Sequence, residues 1–253
     1  MRIAICLSGQ PRTWKRCYKS WFNAISHLGE VDVFYHLWNY NTLPNSAAGF
    51  MQCELPNVEI TKEEECEIYD ILQPKACQVE SIRTFPVFNS TNSKVENSIA
   101  WWTRNQFYGL KKCAFIKREY EIRNNFEYNI VFRFRTDIEL NYRVPENFVP
   151  KPNTMYTCVN LHDPKYNTYR VGDIFYYADS YTYDQMSNFY DAFNYIDALH
   201  VVPNYSDYPP ELAFYYYMKS MGINNVSVTA HSKIIRTEEY KTLKGGLEDY
   251  ESL

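Results

Sequence analysis

The chain has 253 residues, enough for one domain with a sizeable core. Its net charge of −4 argues against a general nucleic-acid binder, which carries a basic surplus. The 7 cysteines are scattered with no CxxC pair, which suggests neither a zinc ribbon nor a disulfide framework and reads as reduced thiols in an intracellular setting.

The chain opens directly into an apolar run with no basic leader, and no segment approaches about eighteen uninterrupted apolar residues, so no membrane span is expected. Its 24 Tyr and 15 Phe are compatible with sugar handling, because tyrosine offers both a stacking face and a hydroxyl; a Tyr-rich core is the plainer reading.

Residues 2–8 (Arg-Ile-Ala-Ile-Cys-Leu-Ser) form a strand that breaks into the loop Gly9-Gln10-Pro11-Arg12. From Thr13 the apolar residues Trp14, Cys17, Tyr18, Trp21, Phe22 and Ile25 fall at helical spacing, and Gly29 suits the stop. Residues 31–38 read as a second strand. Strand, helix and strand in this order make a βαβ unit and favour a parallel sheet. Ligands of such sheets sit outside the carboxyl ends of the strands. Ser8, Gly9, Gln10 and Arg12 lie at the first of those ends, beside a helix N-terminus that favours anions, and are read as nucleotide or phosphate contacts. His36 lies near the end of the second strand, where a lone histidine is more often a structural hydrogen-bonding group than a ligand.

Residues 39–58 are irregular. Thr61 and Glu64 form a capping box that opens a helix through Leu72, with Pro74 beyond it. Residues 76–80 read as a third strand and the polar stretch 81–98 as a loop. The clearest long helix covers 99–123, with Phe107, Leu110 and Ala114 on one stripe and Lys111, Lys112, Lys117 and Arg118 on a solvated face. Arg104, Asn105 and Gln106 in its first turns are placed to reach a ligand.

That helix delivers the chain into residues 128–140, Tyr-Asn-Ile-Val-Phe-Arg-Phe-Arg-Thr-Asp-Ile-Glu-Leu. As one continuous strand it puts Val131, Arg133, Arg135, Asp137 and Glu139 on one face and Ile130, Phe132, Phe134, Ile138 and Leu140 on the other. Two arginines on a core-like strand need partners, because burying an unpaired charge is costly. Two carboxylates one strand period apart can converge on a single hard cation. A cation plus arginines suits a diphosphate; the competing reading is an edge strand with a salt-bridged polar face.

Beyond it, Pro145, Pro150 and Pro152 mark a change of organisation. Residues 154–161 and 171–178 read as strands, and Asp179-Ser180 starts a helix to about 198. Pro209-Pro210-Glu211 opens a helix over 212–221, ended by Gly222. Residues 225–230 form a last strand with His231 at its end, and a charged tail starts at Glu238. No repeat or linker divides the chain.

Taken together, the Ile-Cys-Leu-Ser-Gly-Gln-Pro-Arg loop, the aspartate-x-acidic motif closing a hydrophobic strand, the acid near the start of a late helix and the histidine after a late strand resemble a GT-A-fold glycosyltransferase. The resemblance covers roughly residues 1–235 and extends, more narrowly, to the small soluble transferases with which large algal viruses, phages and bacteria build surface glycans. It implies an α/β fold: one domain with a Rossmann-type mixed, mainly parallel sheet flanked by helices. Residues 1–140 would form the donor-binding half and 141–235 the acceptor-binding half, with 236–253 a peripheral tail.

It further implies Mn²⁺ or Mg²⁺ bridging the phosphates of a nucleotide-sugar donor, a UDP-sugar favoured. Asp137 would contact the ribose or a metal-bound water, Glu139 would ligate the metal, and His231 would be a late third ligand. The second acid here is Glu, whose longer side chain still reaches a cation. Arg12, Arg133 or Arg135 would stabilise the leaving nucleoside diphosphate, with Arg104 nearby on the long helix. For an inverting reaction Glu211 is the first choice of base, Asp173 the second (as base or as a hydrogen-bond partner of the sugar) and Asp207 the third. An acid at a helix start also stabilises the dipole with no catalytic role.

Partners would be the nucleotide sugar and a glycan acceptor, in the cytoplasm (the host's, for a viral chain). Two alternatives compete. A nucleotidyltransferase also uses paired acids and a metal, but would want a glycine- and lysine-rich first loop, which Ser-Gly-Gln-Pro-Arg does not supply. A non-catalytic carbohydrate- or nucleotide-binding protein of the same fold is the other.

Overall fold

The computed structural model describes residues 1–42, 57–81, 99–158, 160–163, 168–172, 174–192, 210–228 and 230–234. The chain opens with β1 (Arg2–Gly9), α1 (Trp14–Ile25), β2 (Glu30–Trp38), β3 (Tyr40–Thr42), β4 (Asn57–Glu59), α2 (Lys62–Leu72) and β5 (Ala76–Glu80). The long α3 (Ile99–Asn124), β6 (Ile130–Phe134), β7 (Ile138–Asn141), β8 (Thr154–Thr157), β9 (Asn160–Asp163) and β10 (Thr168–Val171) follow. Then come β11 (Phe175–Ala178), α4 (Ser180–Ser187), α5 (Pro210–Ser220), β12 (Asn224–Ser227) and β13 (His231–Ile234).

Seven strands form one sheet in the order β12-β8-β11-β6-β1-β2-β5. All neighbours run parallel except β11, which is antiparallel to both β6 and β8. This is the mixed, mainly parallel α/β sheet expected from the sequence. The chain winds outward from β1 through β2 to β5, then returns to add β6 on the other side of β1. The crevice between the carboxyl ends of β1 and β6 is therefore a topological switch point, where open α/β sheets bind ligands.

Side-chain alternation builds the two layers. Ile3, Ile5 and Leu7 of β1 pack with Trp14, Trp21, Ile68 and Leu72 of α1 and α2, joined by Phe132 and Phe134 of β6. Ala4 and Cys6 face the other way, with Phe34 and Val131, onto Phe107 and Leu110 of α3 and Phe214 and Met218 of α5. α1 keeps its predicted apolar face, and the fully buried Trp21 donates its indole N–H to the Ile138 carbonyl at 2.7 Å. Truncating an aromatic of this core, Phe132→Ala for instance, costs about 3–5 kcal/mol. Both halves of the Thr61/Glu64 capping box form, and Gln73, in the left-handed region at φ 46°, ends α2 ahead of Pro74. Among the described residues no helix is long and apolar enough to cross a membrane.

Several expectations need correcting. Residues 128–140 are not one strand: β6 stops at Phe134, a turn carries Arg135, Thr136 and Asp137 (Ile138 N–H to Arg135 O, 3.3 Å), and β7 leaves the main sheet to pair with β13. The stretches 154–161 and 171–178 likewise break, so that β9 and β10 form a separate antiparallel hairpin while β8 and β11 stay in the sheet. The break before β11 falls at the Gly172 step. His231 begins β13 rather than following the last strand. The irregular 39–58 contains the antiparallel pair β3–β4 at its edges.

Lys117 is not solvated. α4 covers that side of α3, and the ammonium is fully buried between Glu121 and Asp184, 2.9 Å from each, with the Ser180 hydroxyl as a further acceptor. Residues 82–98, 193–209 and those from 235 onward, read above as a loop, the end of a helix and a tail, lie outside the described residues.

Candidate functional site

The site is built where β1 and β6 run out. Gly9 ends β1 at φ 115°, a conformation side-chain-bearing residues rarely adopt, and turns the chain into Gln10. Two residues on, Arg12 is itself held in the left-handed region at φ 49°, a backbone arrangement that costs about 1 kcal/mol or more and is stored most often at functional sites. The Thr136 hydroxyl donates to the Gln10 carbonyl and ties this loop to the turn after β6.

The tie sets up a charge lattice. Arg12 Nη1 donates to Asp137 Oδ2 at 2.6 Å, while its Nε reaches Gln10 Oε1 at 3.2 Å. Arg135 grips the same carboxylate with two bonds, Nε to Oδ1 at 3.0 Å and Nη2 to Oδ2 at 2.9 Å. Bidentate guanidinium–carboxylate pairs are the strong, orientation-fixing kind. Asp137 is fully buried, whereas the Arg12 and Arg135 side chains are 29% and 19% exposed. Both guanidinium groups therefore reach from the buried carboxylate toward solvent.

Arg133, two residues earlier on β6, is 1% exposed. Its Nη1 donates to the Ile174 carbonyl at 3.2 Å, the same oxygen that accepts the Arg135 backbone N–H at 3.0 Å. No carboxylate among the described residues lies within ion-pair distance of it. Two guanidinium groups thus meet one described carboxylate, and a third shares the Ile174 carbonyl beside them.

A second polar group lies alongside, on the α3 face. Ser8 and His36 are register partners at the ends of β1 and β2. Gly109 of α3 packs over them: a Cβ there would be in ordinary contact, 3.4 Å from His36 Nδ1 and 3.6 Å from Ser8 Cβ. One turn earlier on that helix, Asn105 is as buried as Ser8, each 4% exposed. Ser8 Oγ, His36 Nδ1 and both amide atoms of Asn105 are buried without a hydrogen-bond partner. Native interiors satisfy nearly all such groups, so a cluster of them calls for a water or a polar ligand. His36 Nε2 lies 2.8 Å from Glu80 Oε2, and the Tyr108 hydroxyl donates to the same carboxylate at 3.0 Å. Burial, opposed by the Glu80 bond, holds the imidazole pKa below its ordinary value. With Nε2–H turned to the carboxylate, the neutral ring presents a lone pair at Nδ1.

The remaining sequence candidates are scattered. Glu139 is exposed on β7, in register with Lys233 of β13, and His231 faces Asn141 two rungs along the same ladder. Glu211 stands in the first turn of α5, partly buried, on a helix packed against β10 and α3. Arg104 belongs to α3, with only its place in the helix described. Asp173 and Asp207 lie outside the described residues; Asp173 immediately precedes the Ile174 whose carbonyl Arg133 and Arg135 share.

The divalent cation implied by the resemblance does not fit this ligand set. Both Asp137 oxygens already accept guanidinium N–H groups, and Glu139 stands exposed on a different strand pair. Among the described residues no three His, Cys, Asp or Glu are grouped to hold a metal ion. A cation at Asp137 would meet two positive groups at hydrogen-bond range of its own ligand, which Coulomb repulsion opposes.

Sequence reasoning missed Thr136, Gly109 and the Ile174 carbonyl. Only Gly109 carried a readable signal, since an isolated glycine inside a helix marks close packing. The arrangement as a whole can hold an anionic, hydrogen-bonding ligand.

No family model matches the chain, and no curated protein matches it. Among solved structures it is similar to an active-site mutant of LgtC, with 10% identity and a TM-score of 0.48, over 89% of this chain and 72% of that one. At that similarity the likeness assigns nothing to this chain.

Proposed function

We propose that the protein transfers a sugar from a nucleotide-diphosphate sugar, a UDP-sugar favoured, to a glycan acceptor. The observation that carries this reading is the convergence of two guanidinium groups, Arg12 and Arg135, on the Asp137 carboxylate at the switch point between β1 and β6, with Arg133 on the neighbouring Ile174 carbonyl. A sheet of this winding offers its ligand crevice there, and a leaving diphosphate is the kind of charge such donors stabilise as it develops. The unsatisfied Ser8, His36 and Asn105 groups beside it supply hydrogen-bonding partners for the polar remainder of a donor.

In the reaction an acceptor hydroxyl oxygen bonds to the anomeric carbon as the bond from that carbon to the diphosphate oxygen breaks. The electron pair leaves with the diphosphate, and the hydroxyl proton passes to a carboxylate. Glu211, at the start of α5, is the base proposed for an inverting course, with Asp173 the second candidate. Arg12 and Arg135, fixed by Asp137, would face the departing charge.

A thermal-shift panel of nucleoside diphosphates and nucleotide sugars, each with and without Mn²⁺, tests the reading, because a ligand that binds only the folded state raises the melting temperature by mass action. Stabilisation by one nucleotide family, followed by turnover of its sugar with a glycan acceptor that fails in Glu211→Gln while binding persists, is the expected result. No shift with any nucleotide, from folded protein, would sink it.

A further inference from the structure

We infer that Arg133, together with Arg12 and Arg135, is the counter-charge of the donor diphosphate, and that this site binds the diphosphate without a divalent cation. The inference rests on the donor-site reading above and goes beyond it in naming what neutralises the anion.

Two independent observations carry it. Arg133 is a guanidinium buried on the central strand with, among the described residues, a single backbone carbonyl as hydrogen-bond acceptor and no carboxylate at ion-pair distance. A buried charge is kept in a fold when something pairs with it, and an unpaired one is strongly unfavourable. Every other buried charge in the described chain has such a partner: Lys117 has Glu121 and Asp184, and Asp137 has Arg12 and Arg135. The missing partner of Arg133 is an anion supplied from outside. The carbonyl it touches also binds the Arg135 backbone, which puts the empty side of the balance beside the lattice rather than elsewhere in the core.

The second observation concerns Asp137. In a cation-dependent site this carboxylate would turn its oxygens to the metal; here they are turned to two arginines. Asp137 is then a positioning residue. It cancels part of the charge on Arg12 and Arg135 and fixes the orientation of both guanidinium groups, which lowers the entropy lost when a diphosphate is clasped.

The test uses the whole chain and titrates UDP, GDP, ADP and dTDP by calorimetry, in excess EDTA and in Mn²⁺, with the matching nucleosides as controls. One diphosphate should bind equally well in EDTA and in Mn²⁺, and its nucleoside far more weakly. In Arg133→Met that affinity should fall about tenfold to a hundredfold, as for loss of a charged hydrogen bond, while the melting temperature of the ligand-free variant is unchanged or higher. A merely structural arginine would lower that temperature and leave the affinity alone. Binding that appears only with Mn²⁺ overturns the inference and leaves the donor-site reading standing, and this arm needs no variant. Wild-type affinity in folded Arg133→Met overturns it as well. Absence of any diphosphate binding, with or without the metal, removes the donor-site reading itself.

Discussion

Two clusters of buried charge, one behind α3 and one at the carboxyl end of the sheet, are built to opposite rules. Behind α3, Lys117 sits between Glu121 and Asp184. Glu121 in turn accepts from the Ser180 hydroxyl at 2.6 Å and the Tyr128 backbone N–H at 2.8 Å. Charge is matched or slightly acidic, and the cluster joins α3 to α4 and to the entry of β6. At the crevice, arginines outnumber the described carboxylate and several buried polar atoms go unsatisfied. In the first cluster the buried ammonium has two described carboxylates; in the second the buried Arg133 has none among the described residues. Closed networks contribute to stability, whereas a surplus kept at some cost in stability marks a binding site.

The largest effect that would sharpen this contrast is expected from Lys117→Met. It strands the fully buried Glu121 carboxylate beside the partly exposed Asp184 and should cost about 3–5 kcal/mol in urea unfolding, against little or no loss for Arg133→Met. Comparable losses in both would break the distinction. Asp137→Asn comes next, at about 1–3 kcal/mol, because Arg12 and Arg135 still reach solvent when their carboxylate is removed.

A pH series probes the α3 cluster from another side. Burial, opposed by Lys117, pushes the Asp184 carboxyl from 3.8 up to about 6. The folded state keeps a proton that the unfolded chain has already released, so this group subtracts stability as pH rises through that window. Asp184→Asn abolishes the effect, and its stability relative to wild type should therefore climb by about 2–3 kcal/mol between about pH 4 and about pH 7. A flat difference would contradict the assignment. Glu121 works in the opposite sense: burial pushes its carboxyl up, but Lys117, Ser180 and the Tyr128 N–H outweigh that and hold it below the ordinary range. The smallest effect is expected for Glu139→Gln, at under about 0.5 kcal/mol as befits an exposed site, with nucleotide affinity unchanged. A loss of affinity there, confined to Mn²⁺-containing buffer, would restore a cation to the site.

Much of the framework was legible in the order of residues. The βαβ opening, the capping box at Thr61, the long helix and the apolar faces of α1 and β6 follow from periodicity and caps, which are local properties. Arg12 and Arg135 were readable as candidate ligand contacts because each stands where a strand ends, and the structure brings both to Asp137. Misreadings clustered where a local pattern had two solutions. A turn at Arg135–Asp137 and a straight strand place the same alternating apolar residues on the same side, so the Asp-Ile-Glu motif read as a continuous strand. Lys117 read as solvated because its burial depends on α4, some sixty residues later in the chain.

The sequence by itself determined the α/β class, the helix and strand faces and the presence of charge at the end of the central strand, because neighbours along the chain decide these. Only the tertiary structure decided how that charge is paired. It brought Arg12 across 125 residues to Asp137, turned that carboxylate toward guanidinium groups, and gave Arg133 a backbone carbonyl but no carboxylate among the described residues. The physical reason is that pairing energy depends on distance and burial, and neither is defined until the strands are laid side by side.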